Sequence, residues 1–139
     1  MIVMPPNLTL WLTGYVRSRA AADGQNVTVA SQEPTPLSLP LSKPLIVIRD
    51  DSGSRLDWTT FDRSIGASVI GGSKAAPKPI DDLALWLAGV LFDDALPLVT
   101  GSPIASVEWG GCNGPYAVAE SLDVARRYMT AQYTVSGSW

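Results

Sequence analysis

A chain of 139 residues with 46% apolar and 17% charged side chains suits one domain, residues 1–139, burying on folding roughly 65 to 70% of the surface its unfolded form exposes. Thirteen acids against ten bases give a formal charge of −3, which disfavours a disordered chain and a generally basic nucleic-acid binder; no sequence-specific nucleic-acid contact is expected. Histidine is absent and Cys112 is the only cysteine, which excludes Ser-His-Asp and Cys-His relays, zinc on His or Cys ligands and an intrachain disulfide.

Carboxylates or a lysine are then the only catalytic routes left, and no cofactor or metal is expected. Met1 to Leu12 has prolines and polar breaks where a secretion signal needs a basic flank and an unbroken apolar run. Leu83 to Phe92, the longest apolar stretch, is too short to span a bilayer. A protein made in the cytoplasm, with no membrane partner, is the expectation, and the triplets Asn7-Leu8-Thr9 and Asn26-Val27-Thr28 then carry no glycosylation meaning.

Asn7 follows Pro5-Pro6 and precedes Leu8, Trp11, Leu12, Tyr15 and Val16, a spacing that predicts a helix capped by Asn7 and running to about Ala22, before the turn pair Asp23-Gly24. A strand starts at Val27-Thr28-Val29. From Ser31 to Lys43 the prolines 34, 36 and 40 cannot supply ladder donors, so this stretch reads as an extended surface loop. Its leucines Leu37, Leu39 and Leu41 are candidates for contact with another subunit.

Leu45-Ile46-Val47-Ile48 is a β-branched run suited to a strand covered on both faces. Asp50-Asp51-Ser52-Gly53 turns the chain, and Trp58 to Ile70 returns as a second strand, with Phe61, Arg63, Ile65 and Ala67 on one parity and Asp62, Ser64, Gly66 and Ser68 on the other, until Gly71-Gly72. The acids Asp50, Asp51, Asp57 and Asp62 lack the ligand spacing of a calcium loop and read as turn chemistry. Arg55-Leu56-Asp57-Trp58 puts a cation, two apolar groups and an acid at the hairpin tip. Trp58 there is either an interface anchor or a lid on the core.

Pro77-Lys78-Pro79-Ile80-Asp81-Asp82 opens the second helix, with Asp81 as expected N-cap, and Leu83, Trp86, Leu87, Val90 and Leu91 form its core stripe beside Ala84, Ala88 and Gly89. Asp93-Asp94 ends it with charge of the unfavourable sign for a helix C-terminus. Lys74 and Lys78, around the connection before this helix, are further interface candidates. Ser102 to Gly110 alternates as a strand with Ala105, Val107 and Trp109 expected inward. Gly110 to Pro115 is a glycine-rich loop that lacks a P-loop order, and Cys112 reads as a small buried hydrophobe. Val118 to Ala131 fits a helical stripe of Val118, Leu122, Ala125 and Met129, or a strand in which Ala125, Arg127, Met129, Ala131, Tyr133 and Val135 alternate with Arg126, Tyr128, Thr130, Gln132 and Thr134.

Together, Gly114-Pro115-Tyr116 opening a short polar connection, the Arg127-Tyr128 pair, Asp62 near the second strand of the hairpin and the helix alanines Ala84 and Ala88 resemble the small tail terminator proteins of long-tailed bacteriophages. The chain departs from them in its longer proline-rich loop and in Trp139 at its end. The resemblance implies that Asp123 to Val135 is a chain-final strand. It also implies an α+β domain with one mostly antiparallel twisted sheet of about five strands and two helices packed on one face. By the same resemblance the protein is a non-enzymatic virion component: a ring, of six copies, that caps the tail tube, ends its growth and joins the tail to the head. Its partners are then other copies of itself, the major tail tube protein and the head-tail connector protein. Other neck proteins, such as head-completion proteins, share this size and composition. The competing class is a ligand-binding or carboxylate-enzyme domain using Asp50, Asp57, Asp62 or Glu108.

Overall fold

The computed structural model describes all residues from Met1 to Trp139 and is an α+β domain in which one open, mostly antiparallel sheet of six strands carries two helices on one face. Helix α1 spans Leu8–Ala22, and Asn7 caps it by accepting from the Leu10 amide at 3.2 Å. Strand β1 (Thr28–Ala30) runs parallel to β2 (Leu45–Asp50), which turns back antiparallel into β3 (Thr60–Gly71). Helix α2 (Lys78–Leu91) crosses to β4 (Ile104–Val107), β5 (Asn113–Ala117) and β6 (Ala125–Ser136). The sheet order is β1-β2-β3-β6-β4, with β5 also paired to β6.

The alternation in β3 and β6 decides which face is wet. Phe61, Ile65, Ala67 and Val69 of β3 and Ala125, Met129, Ala131, Tyr133 and Val135 of β6 point towards the helices. There they meet Leu8, Leu12 and Val16 of α1 and Ile80, Leu83, Ala84, Leu87 and Leu91 of α2 in one core cluster. The opposite parity, Asp62, Ser64, Gly66 and Ser68 with Tyr128, Thr130, Gln132 and Thr134, makes a largely polar open face. At one end of that face a small second cluster, Leu45, Val47, Ile70 and Val124, is covered by Leu37 and Leu41 of the proline-rich stretch. Those two leucines therefore pack on their own sheet, and of the three named as contact candidates only Leu39, 38% exposed, faces outward.

Four local expectations are corrected. Helix α2 begins at Lys78, upstream of Asp81, because Pro79 occupies a first-turn position where its missing N–H would have no intrahelical partner in any case. Asp81 is freed from capping and pairs with Arg127 across to the sheet, Nε to Oδ1 at 2.5 Å. The inward set of β4 is Ile104 and Val107, not Ala105, Val107 and Trp109, since an irregularity between Ile104 and Ser106 flips the parity and leaves Ala105 and Trp109 exposed. Gly114-Pro115-Tyr116 is not a connection but part of strand β5, where a proline without an N–H is tolerated because the strand lies at the sheet edge. Gly114 there has φ of +98°, and a Cβ on it would stand 2.8 Å from the Tyr128 carbonyl oxygen, so glycine is required both by backbone and by space. Strand β3 starts at Thr60 instead of Trp58, because the Asp57 carboxylate accepts from the Thr59 and Thr60 amides, both at 2.9 Å, and closes the turn there.

The ambiguous last segment is strand from Ala125 to Ser136, paired over its full length with β3 from Thr60↔Ser136 to Gly71↔Ala125. Tyr133 on this strand is fully buried, and its hydroxyl donates to the Leu91 carbonyl at 2.6 Å, satisfying an orphan acceptor at the end of α2. Burial pushes the phenol's pKa well above its usual value, so the donor persists across the ordinary pH range. Tyr133→Phe is expected to lower stability by about 1–3 kcal/mol with an unchanged denaturant slope in urea unfolding, since a buried carbonyl is left unpaired while the packing survives.

Candidate functional site

The tip of the β2–β3 hairpin is built from the residues whose composition drew attention to it. Arg55 folds back and donates to the Asp57 carbonyl at 2.9 Å and to the Trp58 carbonyl at 2.7 Å, while its guanidinium lies 5.5 Å from the Phe61 ring centre. Arg63 approaches the same ring at 5.7 Å. The hydrogen bonds from the Thr60 hydroxyl and from the Thr59 and Thr60 amides hold the Asp57 carboxyl below its usual pKa. With the polar groups of the turn engaged internally, the apolar ones are left outside: Leu56 is exposed and Trp58 is 84% exposed. Trp58 is thus not a lid on the core.

The two chain ends converge on this tip. Met4 and Ser138 exchange backbone hydrogen bonds at 2.8 and 3.0 Å, and the Gly137 amide donates to the Thr59 carbonyl at 2.7 Å. Ile2, Met4 and Trp139, all exposed, are thereby brought to the same end of the sheet as Leu56 and Trp58. Nothing in the local sequence signals this pairing of the termini, which spans the whole chain.

The carboxylates proposed for chemistry are distributed. Asp50 accepts from the Ser52 amide at 2.6 Å, Asp51 pairs with Arg49 at 2.9 Å, and Asp57 caps the hairpin turn. Asp62 and Glu108 do share an open groove of about 450 Å³, lined also by Leu56, Gly110, Gly111, Gln132 and Thr134. Within it Gln132 donates to Asp62 at 2.7 Å, and Glu108 accepts from the Ser106 and Thr134 hydroxyls at 2.5 and 2.9 Å. Those hydroxyls hold the Glu108 carboxyl below its usual pKa, the opposite of the elevation that a general acid at neutral pH requires.

The residues of the family-like pattern are not one site. Arg127 points to the helix side and Asp81, Asp62 lies in the groove just described, and Gly114 and Pro115 shape the β5 edge. Tyr128 stands on the open face, where its hydroxyl accepts from Arg49 at 2.7 Å and its ring meets Tyr116 edge-on at 5.9 Å between centres. Gly66 beneath it leaves room: a Cβ there would lie 2.1 Å from the Tyr128 oxygen. Burial, followed by the nearby Asp51 charge, raises the Tyr128 pKa. Arg49, Tyr116, Tyr128, Val118 and Arg126 border a shallow pocket of about 330 Å³. Arg126 is already held by Glu33 at 2.7 Å and Glu120 at 2.6 Å, which ties the proline-rich stretch to β6. Of the remaining interface candidates, Lys74 is fixed through its amide to Asp123 at 3.2 Å, and Lys78 sits in the first turn of α2 paired with Asp82 at 2.9 Å. Cys112 is half-buried against the core, its thiol 3.4 Å from the Glu108 carbonyl. No helix is long and apolar enough to cross a membrane.

No protein-family model matches the chain, and no curated protein does.

Two outcomes follow from this geometry. Trp58→Ala should leave the melting temperature within the effect of an ordinary surface change, about 0.5 kcal/mol, and a loss typical of a core tryptophan, about 3 kcal/mol or more, would place the ring inside. Because the folded-state pKa of Glu108 is depressed, its contribution is present above the ordinary glutamate value of about 4.3 and is lost as pH falls through the lower folded value. Glu108→Gln should therefore flatten the acid side of the stability profile below about pH 5, measured as melting temperature against pH, without steepening the neutral range.

Proposed function

We propose that the protein is a structural assembly component that works as a ring-forming tail terminator: copies close into a ring, of six, on the end of a tail tube, stop its growth and present the opposite side to the head connector. The observation that carries this reading is the end of the sheet at which Trp58, Leu56, Met4 and Trp139 are exposed around a turn whose polar groups are engaged internally. An exposed cluster of large apolar groups is costly in water and is characteristic of an interaction surface. Tryptophan is also the residue type most over-represented among those that dominate interface energy. The resemblance of the Arg127-Tyr128 strand, Asp62 and the helix alanines to tail terminators supplies the class of assembly.

A ring requires a heterologous contact, in which two different faces of one copy are complementary and the rotation closes. The internally hydrogen-bonded hairpin tip offers one apolar element for such a contact, and Leu39 offers an outward apolar group on the proline-rich stretch. The major tail tube protein and the head-tail connector protein are the partners this role demands. In the same reading the work is done by binding alone, with no cofactor and no bond made or broken in a substrate.

Purified protein added to growing tail tubes tests the proposal. Tubes are expected to end at a capped, uniform length carrying a terminal ring in electron micrographs, and Trp58→Ala is expected to lower incorporation roughly thirtyfold or more, corresponding to about 2 kcal/mol, at an unchanged melting temperature. Tubes that grow without limit at saturating protein would overturn the terminator role.

A further inference from the structure

Ser31 to Lys43, the proline-rich stretch between β1 and β2, lies across the open face of the sheet without being built into it. No backbone–backbone hydrogen bond involves any of its residues, and every one of its side chains except Leu37 and Leu41 is exposed. Two attachments hold it. Leu37 and Leu41 rest on Leu45, Val47, Ile70 and Val124, and the Glu33 carboxylate accepts from both terminal nitrogens of Arg126 at 2.7 and 3.1 Å. Arg126 has a second carboxylate in Glu120 at 2.6 Å, so its charge stays paired if Glu33 departs. The patch beneath is fixed by other means: Leu45, Val47 and Ile70 belong to the β2–β3 ladder, which holds them in place whatever the stretch above them does.

We propose that Ser31 to Lys43 is a hinged strap that opens as a unit while the sheet and both helices stay folded, and that in its closed position it withholds an apolar groove on the open face. Opening breaks no ladder, because the N–H and C=O groups of the stretch lie outside the sheet already; it costs the burial of two leucines and one ion pair, a small part of what unfolding the domain costs. The hinges are the two places where regular structure stops, after Ala30 at the end of β1 and before Leu45 at the start of β2. What the strap uncovers adjoins the shallow pocket of about 330 Å³ bordered by Tyr116, Val118 and Tyr128. Ser68 and Arg126 line that pocket, and in the ladders Ser68 stands opposite Val47 and Arg126 opposite Ile70. The released patch therefore lengthens the pocket into a groove walled by tyrosines and aliphatic side chains. Arg126 links the two parts, since the guanidinium that borders the pocket also holds the strap through Glu33. Such a groove is costly to leave in water, so the closed form dominates in the isolated chain. The strap uses neither the hairpin tip nor the chain ends and does not rest on the ring proposal.

Thiol labelling of the folded full chain in a Cys112→Ser background tests it. Val47→Cys places the single thiol under the strap, whereas Ile48→Cys, at the next residue of β2, places it in the core on the helix side. The Val47→Cys thiol is expected to react through an opening whose rate barely changes with urea below the unfolding transition. The Ile48→Cys thiol is expected to react only with the steep urea dependence of the whole domain. Glu33→Ala should speed the first reaction by about fivefold or more and leave the second within about twofold. Glu33 is held on β6, two strands away from β2, so its loss reaches Val47 only through the strap. Equal urea dependence at the two positions, or a Val47→Cys rate that Glu33→Ala leaves unchanged, overturns the proposal. Both outcomes are independent of whether the protein caps tubes.

Discussion

The twelve-residue antiparallel pairing of β3 with β6 is the constraint on which the rest of the molecule depends. It joins two segments between which α2, β4 and β5 must all be accommodated, and it is the middle of the sheet, with β2 on one side and β4 and β5 on the other. Its register assigns alternate residues of both strands to the helix layer or to the open face, and a one-residue slip of β6 against β3 would turn Met129, Ala131 and Tyr133 outward together. The buried face specifies that register strongly. Because this pairing is non-local, the chain closes a long loop before it gains the contacts that reward closure, a topology that folds more slowly than a bundle of local helices.

Charged side chains hold the pieces that the ladder leaves at the margins. Arg127 ties the helix layer to β6 through Asp81, and Arg126, on the other face of the same strand, holds Glu33 and Glu120. Hydrogen bonding to Glu33 raises the Arg126 pKa, and the side chain is mostly covered, so these contacts are screened less than exposed pairs. Consecutive arginines thus fasten opposite layers, which follows from the two-residue repeat of a strand. Arg17 of α1 does comparable work, donating to the Val29 carbonyl at 2.8 Å and fixing the helix to the short parallel strand.

The surface divides by chemistry. At one end of the sheet large apolar groups stand outside a turn that has drawn its polar groups inward, whereas the outward line of α2 mixes one leucine and one glycine with charges. The first kind of surface suits a contact that buries much apolar area; on the second, Lys78 and Asp82 already satisfy each other.

Local signals made much of the framework legible. The Asn7 cap, the 3.6-residue stripes of α1 and α2, the β-branched run of β2 and the alternation of β3 all follow from short-range rules, whereas the one-sided, mostly antiparallel arrangement was expected from the resemblance and is what the structure has. The choice of strand for Ala125 to Ser136 was not decided by pattern, because its residues satisfy both periods; pairing with β3 decided it. The irregularity at Ala105 and the strand character of Asn113 to Ala117 were likewise invisible, since both exist only in relation to β6. For the candidate surface, the sequence by itself determined that Arg55 to Trp58 forms a turn rich in apolar groups, through its turn residues and their side chains. Only the tertiary structure decided that Trp58 faces water, that Leu37 and Leu41 do not, and that Met4 and Trp139 join it, because exposure is set by what the rest of the chain brings alongside, and those contacts connect residues that no local rule relates.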